Sequence, residues 1–454
     1  MQPAVSHETK LNNSLAFTIL SGTFHMSKNL TCAFVARLVC WWIVKQDTAK
    51  PASGQHADQE LIGVKYLEVL VKHQKRLGSA SNHPNRVLHH DDLFTLLLLG
   101  FFNPTLRSLR CLEDASQSPR LRDCLKVERA CRSTLSDANA CLDPKLLEPV
   151  IADLRSRLPH LPKADGQLNQ LLSRSVLADG SFFAVTGNVA WALRKRKPWS
   201  KDADDRFIRL DLQYCGVRGV IEGLEINGKG TSETTAFRRH IEPGRLYVAD
   251  RGIFSFGYVG DLLAARADFV LRIKTSQRLS IVRELPLSTS QKADGVLADR
   301  IVKLDPAARA STVPAPQAEL REVVIFDPGN PDKPVRLLTS LLDVEAELAG
   351  EVYRWRWQIE LFFRWLKVHA HFRHVISHNA NGLTTWFYVA VIGVLLMYLH
   401  TGRKVSKYAY NMLCLVAQGG ATLADIVPIL ERRERERDLD RKRLARKRAE
   451  KTNP

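Results

Sequence analysis

Cysteine is scarce, with 8 residues in 454 and none in a C-x-x-C pair. That excludes a disulfide scaffold and leaves no zinc-finger or thioredoxin motif. Free thiols in a reducing compartment are expected. Acidic residues are also short, 48 Asp and Glu against 66 Lys and Arg, which leaves a formal charge of +18. Such an excess does not specify a fold. It points to a polyanionic partner, either nucleic acid or an acidic membrane surface. Long uncharged runs are nearly missing. Thr31–Val44 is split by Arg37 and is followed by no small-residue cleavage site, so a signal peptide is not expected. Leu383–Leu399 carries no charge and sits at the lower edge of what spans a bilayer, about 17–25 residues. With no second span beside it, this run reads as a core helix and no membrane partner is expected.

What is present is an ordinary globular composition, 45% hydrophobic and 25% charged, which excludes wholesale disorder. No internal repeat is evident. Residues 1–60 lack periodicity and read as an extension, with Met26 a candidate natural start. Residues 61–165 read as helical and as a DNA-binding region, from runs such as LIGVKYLEVLVKHQKRLG and DDLFTLLLLGFF. Asp143-Pro144 supplies a cap followed by proline at the first helical position. Ser133-Thr134-Leu135-Ser136-Asp137 reads as the turn of a small helical unit.

From Ser175 the pattern changes to short β-branched and aromatic runs bounded by Gly, Pro or Asp: SVLADGSFFAV, RFIRLDLQYCG, VRGVIEGLEIN, RLYVAD and DFVLRIK. TSETTAFRRHI, with a serine cap, falls before RLYVAD. The order predicts an α/β fold with mixed strand directions over 166–400, interrupted by a β-rich insertion at 275–332. A long helical block is expected from about 343 to 400, and 401–454 reads as a helical region with a basic tail.

Two aspartates stand at predicted strand ends. Asp179 follows Val176-Leu177-Ala178 and precedes Gly180; Asp250 follows Leu246-Tyr247-Val248-Ala249 and precedes Arg251-Gly252. Ligand sites of open α/β sheets lie at such ends, although Asp-Gly and Asp-x-Gly are also ordinary turns. The segment Tyr353–Lys367 adds a third acid. At about 100° per residue on one helix, Tyr353, Arg356, Glu360, Arg364 and Lys367 share an arc of roughly 80°, opposite Trp355, Ile359, Phe362 and Leu366. Surface ion pairs Arg356–Glu360 and Glu360–Arg364 explain the charges, but not the excess of cations over the single carboxylate. That excess calls for an external anion.

Tyr353, Arg356, Glu360 and Lys367 have the Y-(2)-R-(3)-E-(6)-K spacing, and the chain here resembles the IS4-type DDE transposases. The resemblance covers about 85–400 and makes Asp179 and Asp250 the first two acids of the triad. It implies an RNase H-like catalytic core with a β-rich insertion, and metal-dependent hydrolysis at transposon ends followed by strand transfer of the 3′-hydroxyl. Asp179, Asp250 and Glu360 would be catalytic and metal-binding, holding Mg²⁺ or Mn²⁺, expected as two ions. Tyr353, Arg356, Arg364 and Lys367 would contact DNA phosphates. The implied partners are double-stranded DNA and a second copy in a homodimer, in the cytoplasm at the nucleoid.

The chain reads alternatively as a catalytically inactive, transposase-derived DNA-binding protein, or as a membrane-associated basic protein. Tyr353 as a recombinase-like nucleophile lacks the Arg and His partners such chemistry needs. His89-His90-Asp91-Asp92 reads as a metal-capable run or, with its aspartates, as a helix cap. His369, His371, His374 and His378 match no closed metal site. Arg194-Lys195-Arg196-Lys197, beside Trp191 and Trp199, reads as a nucleic-acid patch or a solvated loop.

Overall fold

The computed structural model describes residues 70–80 and 86–452, apart from positions within 104–107, 123–126, 160–165, 186–190, 197–203, 306–312, 371–375, 402–405 and 418–419. The N-terminal extension, Met26 and Thr31–Val44 lie outside the described residues, as do His371 and His374. The chain divides into two compact units, one comprising residues up to Asn103 with those from Met412 onward, the other Pro104–Asn411.

In the first unit lie α1 (Val71–Ser79) and α2 (His90–Phe102). The α2 sequence is apolar all round, and every residue from His90 to Leu99 is buried, as expected of an interior helix. Its N-cap is His89, without a side-chain capping bond. The aspartates expected as caps, Asp91 and Asp92, instead lie inside the first turn, where the positive end of the helix favours acids.

The second unit opens with α3 (Leu109–Ser116), α4 (Arg132–Cys141), α5 (Glu148–Ser156) and α6 (Gln167–Ser173). Ser133–Asp137, expected as a turn, is helical within α4. Leu135 and Asn139 are both buried, and their i, i+4 spacing gives this polar segment an inward face.

Among the described residues ten strands follow in one mixed sheet: β1 (Ser175–Val185), β2 (Leu193–Arg196), β3 (Asp204–Cys215), β4 (Val220–Asn227), β5 (Leu246–Ala249), β6 (Asp268–Ile273), β7 (Leu279–Glu284), β8 (Val296–Leu304), β9 (Leu320–Ile325) and β10 (Val335–Thr339). Three helices are interspersed: α7 (Glu233–Arg238), α8 (Phe256–Ala264) and the short α9 (Thr289–Ala293). The order is β2-β3-β1-β5-β6-β10-β9-β8-β7, with β4 also on β3. Only β1–β5 and β5–β6 are parallel. β5 is buried throughout, as an apolar tetrapeptide in the middle of a covered sheet must be. Of Arg194-Lys195-Arg196-Lys197, read as a nucleic-acid patch or a solvated loop, the first three are paired as β2 against β3, and Lys197 lies outside the described residues.

One face of the sheet is covered by a core of Val176, Ala178, Tyr247, Ala249, Phe237, Tyr258, Val259 and Leu262, drawn from β1, β5, α7 and α8. The other is served by α10 (Ala346–Trp355), α11 (Trp357–Val368) and α12 (Ala380–Thr401). Phe362 of α11 packs on Tyr214 with ring centroids 4.9 Å apart, and Phe387 of α12 on Phe183 at 5.1 Å. The α12 helix is long and apolar enough to cross a membrane, but its apolar window is 83% buried inside the protein, so the fold uses it as a core helix. The chain ends with α13 (Lys407–Ala417) and α14 (Leu423–Thr452). The basic tail is thus a charged helix, with pairs such as Arg433–Glu436 along it.

Candidate active site

The register of the parallel ladder places the first two acids. β1 and β5 pair from Ser175↔Leu246 to Ala178↔Ala249. Asp179 and Asp250 are the next residue on each chain, so they emerge side by side where the ladder ends. β5 stops there, while β1 continues to Val185 as an antiparallel partner of β3. Asp179 is therefore inside its strand, and beyond the parallel pairing. β6 adds a cation that the sequence reading missed. Leu271 is opposite Ala249, and the following Arg272 lies 3.6 Å from Asp250. A single arginine inside the apolar run DFVLRIK was the available signal.

The third acid arrives on α11, but not on one continuous helix. Arg356 forms a turn between α10 and α11, and Trp357, just after it, is 49% exposed. The expected polar stripe is also not a solvent face: Tyr353 and Arg356 are both 8% exposed and point into the protein. Tyr353 donates a hydrogen bond from its hydroxyl to Asp250 Oδ1 at 3.0 Å. Arg356 donates to Glu360 Oε1 at 2.7 Å and lies 3.5 Å from Asp179 Oδ2. One guanidinium thus bridges the first and third acids. Lys367, the penultimate residue of α11, donates to Ser181 Oγ at 2.8 Å and lies over the Phe183 ring at 4.7 Å. Ser181 is two residues past Asp179, on the same face of β1. Arg364 is exposed and makes no ion pair with Glu360. Of the two surface pairs considered from the sequence, the Arg356 pair forms.

Burial governs the electrostatics. It pushes the Asp179 carboxyl up to about 7; Arg356 opposes the shift, while Glu233 and Glu360 add to it. Burial, with the neighbouring Asp250 charge, also raises the Tyr353 hydroxyl and keeps it a neutral donor. The arrangement therefore holds acids in excess of cations at the strand ends, with Arg356 and Tyr353 occupying part of the carboxylate oxygen valence. Among the described residues no group of three or more His, Cys, Asp or Glu is closed tightly enough to hold a metal as it stands. His369 and His378 form no such group either.

Several known proteins resemble this chain. The family model for the transposase DDE domain matches residues 172–396, the span from α6 to α12. A protein named as transposase y4zB from Sinorhizobium fredii is 31% identical over 255 residues, 54% of this chain and 69% of that protein. A transposase for insertion sequence element IS5377 from Geobacillus stearothermophilus is 26% identical over 268 residues, covering 57% and 67%. One for insertion sequence element IS4SA from Synechocystis is 34% identical over 116 residues, covering 24% and 30%. A piggyBac transposase synaptic complex with hairpin DNA superposes with a TM-score of 0.39 at 12% identity, covering 85% of this chain and 77% of that one; at that score the likeness carries no argument. The chain belongs to the DDE transposase family.

Proposed function

We propose that this chain is an IS4-type transposase with an RNase H-like core. It would hydrolyse a phosphodiester at each transposon end and join the freed 3′-hydroxyl to target DNA. The observation that carries this reading is the pair of aspartates, Asp179 and Asp250, side by side just past the β1–β5 parallel ladder, with the Glu360 helix laid over them through Arg356 and Tyr353. In this reading β4-β3-β1-β5-β6 is the core sheet and β7–β9 belong to the insertion at 275–332.

The donor set suits Mg²⁺ or Mn²⁺. All three side chains offer hard carboxylate oxygens, and a buried acid whose pKa is raised regains its charge beside a cation. Asp179, Asp250 and Glu360 would hold the ions. When bound, they supply charge neutralisation at the attacking and leaving oxygens of an in-line displacement at phosphorus. The remaining roles fall to the chain itself. Arg356, beside both Asp179 and Glu360, would be placed to contact a DNA phosphate. Lys367 and Arg364 hold the backbone near the cleaved end. Tyr353 orients Asp250 through its hydroxyl. Hydrolysis frees the 3′-hydroxyl, and transesterification then exchanges one phosphodiester for another without a covalent protein intermediate. Two ends must be joined, which requires at least a dimer.

A second reading has its own observation. Arg356 spans Asp179 and Glu360 as a resident counter-charge, as would suit a DNA-binding relative that no longer cleaves. Nicking of end-bearing duplex DNA with Mg²⁺ or Mn²⁺ separates the two. Cleavage by the wild type, lost in Glu360→Gln with end binding retained, supports the transposase; binding without cleavage by the wild type supports the inactive relative.

A further inference from the structure

At Arg356 the chain departs from one straight helix, and its hydrogen bonds show how. The Arg356 amide donates to the Tyr353 carbonyl and the Ile359 amide to the Arg356 carbonyl, both at 3.0 Å. Such bonds between residues three apart tighten the coil locally, as a 3₁₀ turn does. Across the tightened turn Tyr353 meets Asp250, while Arg356 and Glu360 meet beside Asp179. The local sequence does not demand the break, since Trp355, Arg356, Trp357 and Gln358 include no Gly or Pro. It is held from outside the helices.

Trp355, just before the turn, and Gln358, two residues after it, are both tied to the β3–β4 connection, Gly216–Gly219. The Trp355 indole fills the room that Gly216 leaves: a Cβ there would strike the indole ring and stand 2.9 Å from Leu177 Cδ1. Gly216 has no positive φ, so space and not backbone freedom explains it. Gln358 is reached by Lys404, from the connection between α12 and α13. The Lys404 ammonium donates to Gln358 Oε1 at 2.6 Å and to the Gly216 carbonyl at 3.0 Å. It also lies over the rings of Tyr214 at 5.7 Å and Trp355 at 6.0 Å, within cation–π range. The Lys404 stem rests on Gly219, where any Cβ would strike its Cγ.

One ammonium thus joins both arms of the break, α10 through Trp355 and α11 through Gln358, to a turn of the central sheet. All of these residues lie within the Pro104–Asn411 unit. A lysine serving only solubility would keep its charge in water. This one is half-buried between two rings and two oxygens, a placement that costs desolvation and so needs a return. The return is the geometry of the turn. Arg356 reaches Asp179 Oδ2 and Glu360 Oε1 only from that turn, so Lys404 acts on the site through Arg356.

We propose that Lys404 is a positioning residue of the active site, a brace that holds the α10–α11 turn so that Arg356 faces Asp179 and Glu360. The assignment rests on the functional reading above and deepens it. The first test is amide hydrogen exchange of the full-length, DNA-free protein. Lys404→Met keeps the stem over Gly219 and removes the ammonium; it should speed exchange across 356–361 about tenfold and leave β1 and β5 unchanged. The second is single-turnover cleavage of end-bearing duplex DNA with Mn²⁺. Lys404→Met should slow it about tenfold, as a misplaced catalytic group does, and Lys404→Arg should restore part of the loss. The double variant with Arg356→Ala should be no slower than Arg356→Ala alone. Unchanged exchange overturns the brace. Faster exchange with wild-type cleavage, or losses that multiply in the double variant, overturns the positioning role and leaves the transposase reading standing. A wild type that binds ends without cleaving overturns the transposase reading and this role with it, while exchange still decides the brace. If Lys404→Met does not fold, Gln358→Leu, which removes the amide oxygen that Lys404 holds, decides by the same readings.

Discussion

The sheet carries buried charge in two places, and the two are built in opposite ways. In its outer half, Arg321 of β9 is bidentate to Asp299 of β8 at 2.7 and 2.6 Å and also donates to the Val344 carbonyl. Beside it Glu322 takes Arg336 at 2.6 Å and Arg300 at 3.4 Å. Each acid there has its cation. Where the β1–β5 ladder ends, Asp179 and Glu360 share Arg356, and Asp250 lies beside Arg272. Matched buried charge fixes strands in register. Under the proposed function, the deficit of cations at the ladder end, with Asp179 pushed up to about 7, is where a divalent ion would bind.

The widest separation of the two regions should come from Glu360→Gln. It should lower cleavage by about a thousandfold or more, as expected when a metal-ligating acid is lost, with end binding nearly intact. A parallel loss of both activities would assign Glu360 a structural role. In the outer half, Arg321→Met leaves Asp299 buried without its cation and should cost about 3–5 kcal/mol of stability, which added Mg²⁺ does not restore. An unchanged denaturant midpoint would show that the outer pair is not structural.

Asp179→Asn should act in the reverse direction. The folded pKa of Asp179 lies above that of an unfolded aspartate, so the folded chain holds more protons between about 4 and 7. The stabilisation is complete below the unfolded pKa and is lost as pH rises through about 7. Metal-free Asp179→Asn should therefore gain on the order of 2 kcal/mol over the wild type at pH 8 and lose that gain toward pH 4. Melting curves at the two pH values check the sign. The smallest change concerns Lys367→Ala, which should weaken DNA binding uniformly across sequences and shallow the salt dependence by about one unit. An unchanged slope would remove Lys367 from the phosphate contacts.

Much of the central sheet was readable from the sequence because its strands are short apolar runs closed by Gly or Asp. The ladder end that sets Asp179 beside Asp250 follows from two such runs stopping in register. The spacing Tyr353, Arg356, Glu360, Lys367 was readable too, but the turn at Arg356 was not, since every residue there is compatible with a helix and tertiary contacts decide the break. Ser133–Asp137 failed in the other direction: locally turn-forming residues are helical because Leu135 has a core to enter.

The order of the chain has a consequence for how such an enzyme comes into being. Every strand of the sheet precedes α10, and Glu360 lies beyond it on α11. On the ribosome both aspartates are in place before the glutamate has been made. If Glu360 has the proposed role, a nascent or prematurely terminated product ending before α11 would carry the scaffold without it and would not cut DNA.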